Sequence, residues 1–151
     1  MTDRHPLQSY TTSYYNGACP ICRHEMMRYK SHAEAAGATL GWVDISKAEN
    51  QNALKHLGVT QDMAYRRIYV VDSKGTPAAG VDGLALIWAE IPRWRWAAAV
   101  TQHPLIIPVA RFVYDQIVAK LIYEWNRRRL GRCPSGVCVM PQNPSDSAKQ
   151  T

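Results

Sequence analysis

The chain has 151 residues, 46% hydrophobic and 20% charged, with a formal net charge of +6. That length suits one domain with its own core, and four cysteines are too few for a disulfide scaffold. The basic balance would suit a nucleic acid, an acidic partner or an anionic membrane surface. However, no nucleic-acid motif or wider basic groove accompanies the Trp-rich "RWRW" at 93–96, so a nucleic-acid partner is set aside.

Residues 1–9 read as a polar leader. The first twelve residues show no apolar core and no small-residue cleavage site of a signal peptide. The longest stretch without Asp, Glu, Lys or Arg, 96–110, carries His103 and two prolines and falls short of the roughly 20 apolar residues of a span. The expectation is a cytoplasmic protein, where cysteine pairs are more often catalytic or metal-binding than structural.

"SYTTSYY" (9–15) is rich in strand formers, and Asn16-Gly17 ends it with a turn signal. A helix is predicted from Pro20 to about Ala36, with proline tolerated at its first position and Gly37 as its stop. Cys22, Met26, Tyr29, Ala33 and Ala36 form its apolar face. That spacing turns Cys22 toward the core and leaves Cys19 exposed at the helix mouth.

"ATLGWVDI" (38–45) reads as a second strand. "SKAENQNALKHLG" (46–58) reads as a helix, with Ser46 as N-cap, Glu49 completing a capping box and Gly58 as stop. "RRIYVVDSKGTPAAGV" (66–81) reads as a hairpin turning at Ser-Lys-Gly. "VDGLALIWAEIP" (81–92) reads as a helix capped by Asp82. Strands alternating with helices before a closing hairpin point to an α/β fold with a mixed sheet.

Beyond Pro92, residues 93–102 and 104–130 read as helices. In the second, Ile106, Ala110, Val113, Ile117, Leu121 and Trp125 hold helical spacing and are expected to face the core. The pairs Arg111–Asp115, Lys120–Glu124 and Glu124–Arg128 should lie on the wet side. Arg127, Arg128, Arg129 and Arg132 fall where a helix dipole favours positive charge. A membrane-surface role for this segment is an alternative to core packing. The tail after Gly131 is polar.

The chemistry centres on Cys19 and Cys22. Dithiol exchange needs one acidic thiol to attack and a second within reach to resolve the mixed disulfide. Cys19 lies at or near a helix N-cap, where unpaired N–H groups and the positive dipole end favour a thiolate. Such placement lowers a thiol pKa from about 8.5 to roughly 3.5–7.5. Pro20 stiffens the loop, and Arg23 and His24 add positive charge. A CxxC pair after a strand, with a proline inside and a helix behind, is the pattern of a thioredoxin-like redox motif.

Zinc is the rival reading. Cys133 and Cys138 form a second pair in "CPSGVC", and Cys19, Cys22, Cys133 and Cys138 together could supply four thiolates to a binding module. The second pair could equally be a relay disulfide, a staple of the C-terminal loop or two idle thiols. His5, His24, His32, His56 and His103 show no ligand spacing.

"YYNGACPICRHEM", "GWVDI", "LGVT" and "IYVVDSKGTPAAGVDGLALIW", in that order, resemble the DCC family of predicted thiol-disulfide oxidoreductases, from about Tyr14 to about Arg129. That family is named for an Asp-x-x-Cys-x-x-Cys signature. The resemblance implies a thioredoxin-like fold and dithiol–disulfide exchange; that mechanism needs no cofactor, and its substrate is left open between a protein and a small thiol. It carries the two signature cysteines onto Cys19 and Cys22.

The signature aspartate falls on Asn16, which keeps the capping ability of Asp but removes a charge that would oppose the thiolate. Asn16, Gly17 and Pro20 shape the turn. Thioredoxins also carry a cis-proline before the third strand, whereas 61–70 has none, with Tyr65 or Arg66 near that position. The expected organisation is a thioredoxin-like domain at about 10–92, a helical extension packed on it at 93–130, and polar tails at 1–9 and 131–151. A non-enzymatic protein or membrane-surface partner acting through 93–130 is the third function class.

Overall fold

The structure, a computed structural model, describes residues 9–129. Cys133, Cys138, Arg132 and both expected tails, apart from Ser9, lie outside those residues. Four strands form one mixed sheet: β1 (Thr12–Tyr15), β2 (Gly41–Asp44), β3 (Tyr69–Val71) and β4 (Pro77–Ala79), in the order β2-β1-β3-β4. β1 and β2 run parallel, connected through helix α1 (Pro20–Ala35), while β3 is antiparallel to both β1 and β4. Helices flank the sheet and a helical extension follows it, in a thioredoxin-like arrangement.

β1 is central, and all four of its residues are buried. Successive strand residues point to opposite faces, so neighbouring tyrosines serve different cores. Tyr15 joins Met26, Tyr29, Ala33, Val70, Ile87 and Ile91 on one side. Tyr14 joins Ile45, Leu54, Val59, Ala64 and Tyr69 on the other. The α1 stripe expected from spacing is largely realised: Met26, Tyr29 and Ala33 are buried, Cys22 is half-buried, and only the capping Ala36 is exposed.

The hairpin forms as read. Asp72 Oδ1 accepts the amides of Lys74 (2.9 Å) and Thr76 (2.8 Å), and Gly75 takes the left-handed φ of 85° that the turn needs. Helix α2 (Gln61–Arg66) precedes it, capped by the Thr60 side chain on the Met63 amide. Helix α3 (Gly80–Glu90) follows it. Its N-cap is Ala79 rather than Asp82, whose carboxylate instead receives Arg111 at 2.9 and 3.2 Å.

Residues 46–58 are not an α-helix. They form two single 3-10 turns, Ala48–Asn50 and Lys55–Leu57, closed by Gly58 at φ 74°. Ser46 does not cap a helix there, because Asp44 Oδ1 takes both its amide (2.9 Å) and its hydroxyl (2.6 Å). Asn50 Nδ2 then bonds back to the Asp44 carbonyl at 3.0 Å. With the start of the segment folded onto the end of β2, i→i+3 bonding replaces the α ladder.

After a 3-10 turn at Pro92–Trp94 come α4 (Arg95–Thr101), α5 (Ile107–Val113), a π-helical turn at Tyr114–Val118, and α6 (Ala119–Arg129). "RWRW" divides between two roles. Trp94 packs edge-on to Tyr29 at 5.5 Å, whereas Trp96 is exposed.

The stripe expected to face the core lies outward. Ile106, Val113, Ile117, Leu121 and Trp125 are all exposed, Leu121 at 64%, and only Ala110 is half-buried. The inward line is Tyr114, Ile122 and the buried Asn126. The expected i, i+4 ion pairs are replaced as well. Arg111 takes Asp82, Asp115 takes Arg67 at 3.3 Å, and Glu124 takes Arg127 at 2.7 Å. Among the described residues no helix is long and apolar enough to cross a membrane.

Candidate redox site

The loop from β1 to α1 is held from both sides. The Asn16 side-chain oxygen accepts the Ala18 amide at 3.0 Å, and its carbonyl accepts the Cys19 amide at 3.2 Å. Gly17 donates its amide to Asp44 Oδ1 at 2.9 Å. A Cβ built at Gly17 would fall inside the Asp44 carboxylate, so only glycine lets the loop approach β2 this closely. Pro20 opens α1, and the Arg23 amide closes its first turn on the Cys19 carbonyl at 2.9 Å.

Cys19 is the N-cap of α1, and its sulfur accepts the Cys22 amide at 3.4 Å. Both cysteines are free thiols, with their sulfurs near disulfide distance. The pair is electrostatically unequal. The Cys22 thiol donating to the Cys19 sulfur is the largest influence that lowers the Cys19 pKa to about 6. Burial opposes this, while the amides of Cys22 and Ile21 and the charge of Arg129 assist. Cys22 is pushed up by the same hydrogen bond, then by burial and by the neighbouring thiolate.

Exposure departs from the reading of the sequence. Cys19 is 1% exposed, whereas Cys22 is half-buried. The mouth of α1 is covered by the end of α6, where Arg129 Nη2 donates to the Ala18 carbonyl at 3.2 Å and to Asn126 Oδ1 at 3.5 Å. The positive charge acting on Cys19 therefore comes from Arg129 and not from Arg23 or His24. Those two are exposed on α1, and neither is among the groups that shift Cys19.

Above the thiols lies a cavity of about 170 Å³, bordered by Asn16, Cys19, Cys22, several tyrosines and the inner line of the C-terminal helices. Tyr114 stands in the π-helical turn, a feature common at functional sites. Burial pushes its phenol up to about 12, while a backbone hydrogen bond at Ile68 pulls the other way and Cys22 adds to the rise. Gly80, at φ 62°, makes room for this ring, since a Cβ there would stand 3.0 Å from it.

The structure thus brings together Asn16, Gly17, Cys19, Pro20 and Cys22, and leaves Arg23 and His24 outside. Asp44, Tyr114, Asn126 and Arg129 are additions to the set read from the sequence. Asp44 carried a detectable signal: an acid ending a strand, followed two residues later by Ser46, is an Asx-turn pattern. Among the described residues no group of three or more His, Cys, Asp or Glu could hold a metal ion. The four-cysteine zinc reading therefore finds no support there, and its second pair lies outside those residues.

No curated protein and no solved structure matches the chain. A family model described as DCC1-like thiol-disulfide oxidoreductase matches residues 13–128.

Proposed function

The chain belongs to the DCC1-like thiol-disulfide oxidoreductase family, and on that premise we propose that its exchange chemistry runs through Cys19 as attacking thiolate and Cys22 as resolving thiol. Cys19 attacks one sulfur of a disulfide and expels the other as a thiolate. Cys22 then passes its proton to the thiolate already expelled and attacks the Cys19 sulfur, expelling the second thiolate and closing a Cys19–Cys22 disulfide. Two electrons pass from the protein dithiol to the substrate disulfide, and another thiol system restores the dithiol.

The observation that carries this reading is the asymmetry of the pair: Cys19 caps α1 and receives both the amide and the thiol of Cys22. Helix-mouth amides and a donating thiol stabilise the thiolate that attacks, and they leave the proton on the residue that must wait. In the same reading, residues 10–92 carry the thiols, 93–130 cover them, and the setting is a reducing cytoplasm.

The test is a pair of variants. Cys19→Ser should abolish disulfide reduction. Cys22→Ser should still attack but stop at a mixed disulfide, visible as one substrate half attached to Cys19 by mass spectrometry. Retained turnover in Cys19→Ser would overturn the assignment.

A further inference from the structure

We propose that the cavity over Cys19 and Cys22 is a substrate subsite for small, uncharged, apolar or aromatic disulfides of about one ring per half. The proposal rests on Cys19 being the attacking thiolate and specifies what that thiolate meets.

Access comes first. Cys19 is 1% exposed, and Arg129 of α6 bonds to the carbonyl beside it. Among the described residues the sulfur presents almost no surface of its own, so a substrate reaches it through the cavity that Cys19 borders.

Size comes next. The cavity measures about 170 Å³, and an apolar protein cavity of ~150 Å³ is known to take benzene. One ring-sized half of a disulfide fits that space. A tripeptide-sized half such as that of glutathione exceeds it and would have to lie partly outside.

The lining decides the chemistry. Tyr29, Tyr65, Tyr114 and Tyr123 present rings, with Ile68 and Leu84 between them. The charged residues on the rim already have partners: Glu25 has Arg28 at 3.8 Å, Arg66 has Asp62 at 2.8 Å, and Arg67 has Asp115 at 3.3 Å. Arg66 also lies over the Tyr123 ring at 4.9 Å. A substrate carrying carboxylates and an ammonium would lose water without gaining fresh counter-charges, which is costly. An apolar ring loses little and gains burial.

The electron count is that of any disulfide exchange. The reduced protein and one disulfide RSSR give the Cys19–Cys22 disulfide and two RSH. The first half leaves when Cys19 attacks, and the second when Cys22 resolves.

The experiment uses the reduced full-length chain and three probes. They are dipyridyl disulfide, oxidised glutathione and methyl methanethiosulfonate, each with its rate divided by that for free mercaptoethanol. The thiosulfonate is small enough to report Cys19 chemistry without filling the cavity. The proposal expects dipyridyl disulfide to saturate and to be favoured over oxidised glutathione by at least about tenfold, the scale of discrimination available to an apolar pocket. Val118 borders the cavity, so Val118→Trp should fill it and abolish saturation, while Leu121→Trp on the outer face should keep it.

Equal normalised rates for the two disulfides, with the thiosulfonate still reacting at Cys19, would overturn the subsite and leave the nucleophile standing. No reaction at Cys19 with any probe would overturn both.

Discussion

At the scale of single residues, the site depends on atoms a few ångströms from the Cys19 sulfur. Asn16 stands where the family signature has an acid, and its side chain bonds the Ala18 amide at 3.0 Å. Asn16→Asp preserves that acceptor and adds a negative charge near the thiolate. The Cys19 alkylation midpoint should rise by about one pH unit, and an unchanged midpoint would remove Asn16 from the electrostatics of the site. Gly17 is constrained by contact, since its φ is not in the left-handed region and only the Asp44 carboxylate forbids a Cβ. Gly17→Ala should cost about 1–3 kcal/mol in urea denaturation. Because the two residues share one contact, Gly17→Ala with Asp44→Ala should cost less than the two single variants summed. Strict additivity would count against this account of the loop.

At the scale of elements, the sequence is legible where one pattern has no competitor. β1, α1 and the hairpin each carry a period and a terminator that agree: Tyr and Thr before Asn16-Gly17, a 3-4 stripe from Cys22 to Ala33 before Gly37, and two β runs around Gly75. Residues 46–58 carry an equally good capping signal, yet Asp44, one element upstream, takes the Ser46 groups that the cap would need. That competition is a local Asx turn, legible in the Asp44–Ser46 spacing but recorded by no helical period. The C-terminal helices fail to be read for a related reason. Two stripes share the same period, Ile106 to Trp125 and Tyr114 to Asn126, and the more apolar one lies outward because the polar one forms the wall over the thiols. Phe112 and Leu121 are 62% and 64% exposed, so Phe112→Ser and Leu121→Ser should each change stability by no more than about 0.5 kcal/mol. Ile87→Ala, on the buried face of α3, should cost about 2–5 kcal/mol. A loss of several kcal/mol at Leu121 would mean that the outer stripe is packed after all.

At the scale of the whole molecule, the C-terminal end of the described chain meets the β1–α1 loop at the redox centre, with Arg129 reaching the Ala18 carbonyl across 111 residues. The C-terminal helices thereby bury the sulfur, supply a cation to it and wall its cavity. Arg129→Gln should raise the Cys19 midpoint by a fraction of a pH unit. Because that side chain is exposed, added salt should shrink the difference between variant and parent. Identical midpoints at low salt would confine the role of Arg129 to covering the loop.

The central claim is that the fold makes two neighbouring thiols unequal. Its most direct measurement is the alkylation rate of the reduced protein from pH 4 to pH 10, with the modified cysteine located by mass spectrometry. Thiolate, and with it the rate, increases as pH rises through the pKa. The account predicts that Cys19 reacts with a midpoint near 6 while Cys22 stays unmodified across the range. A midpoint near the free-thiol value of about 8.5, or alkylation of Cys22 ahead of Cys19, would contradict it.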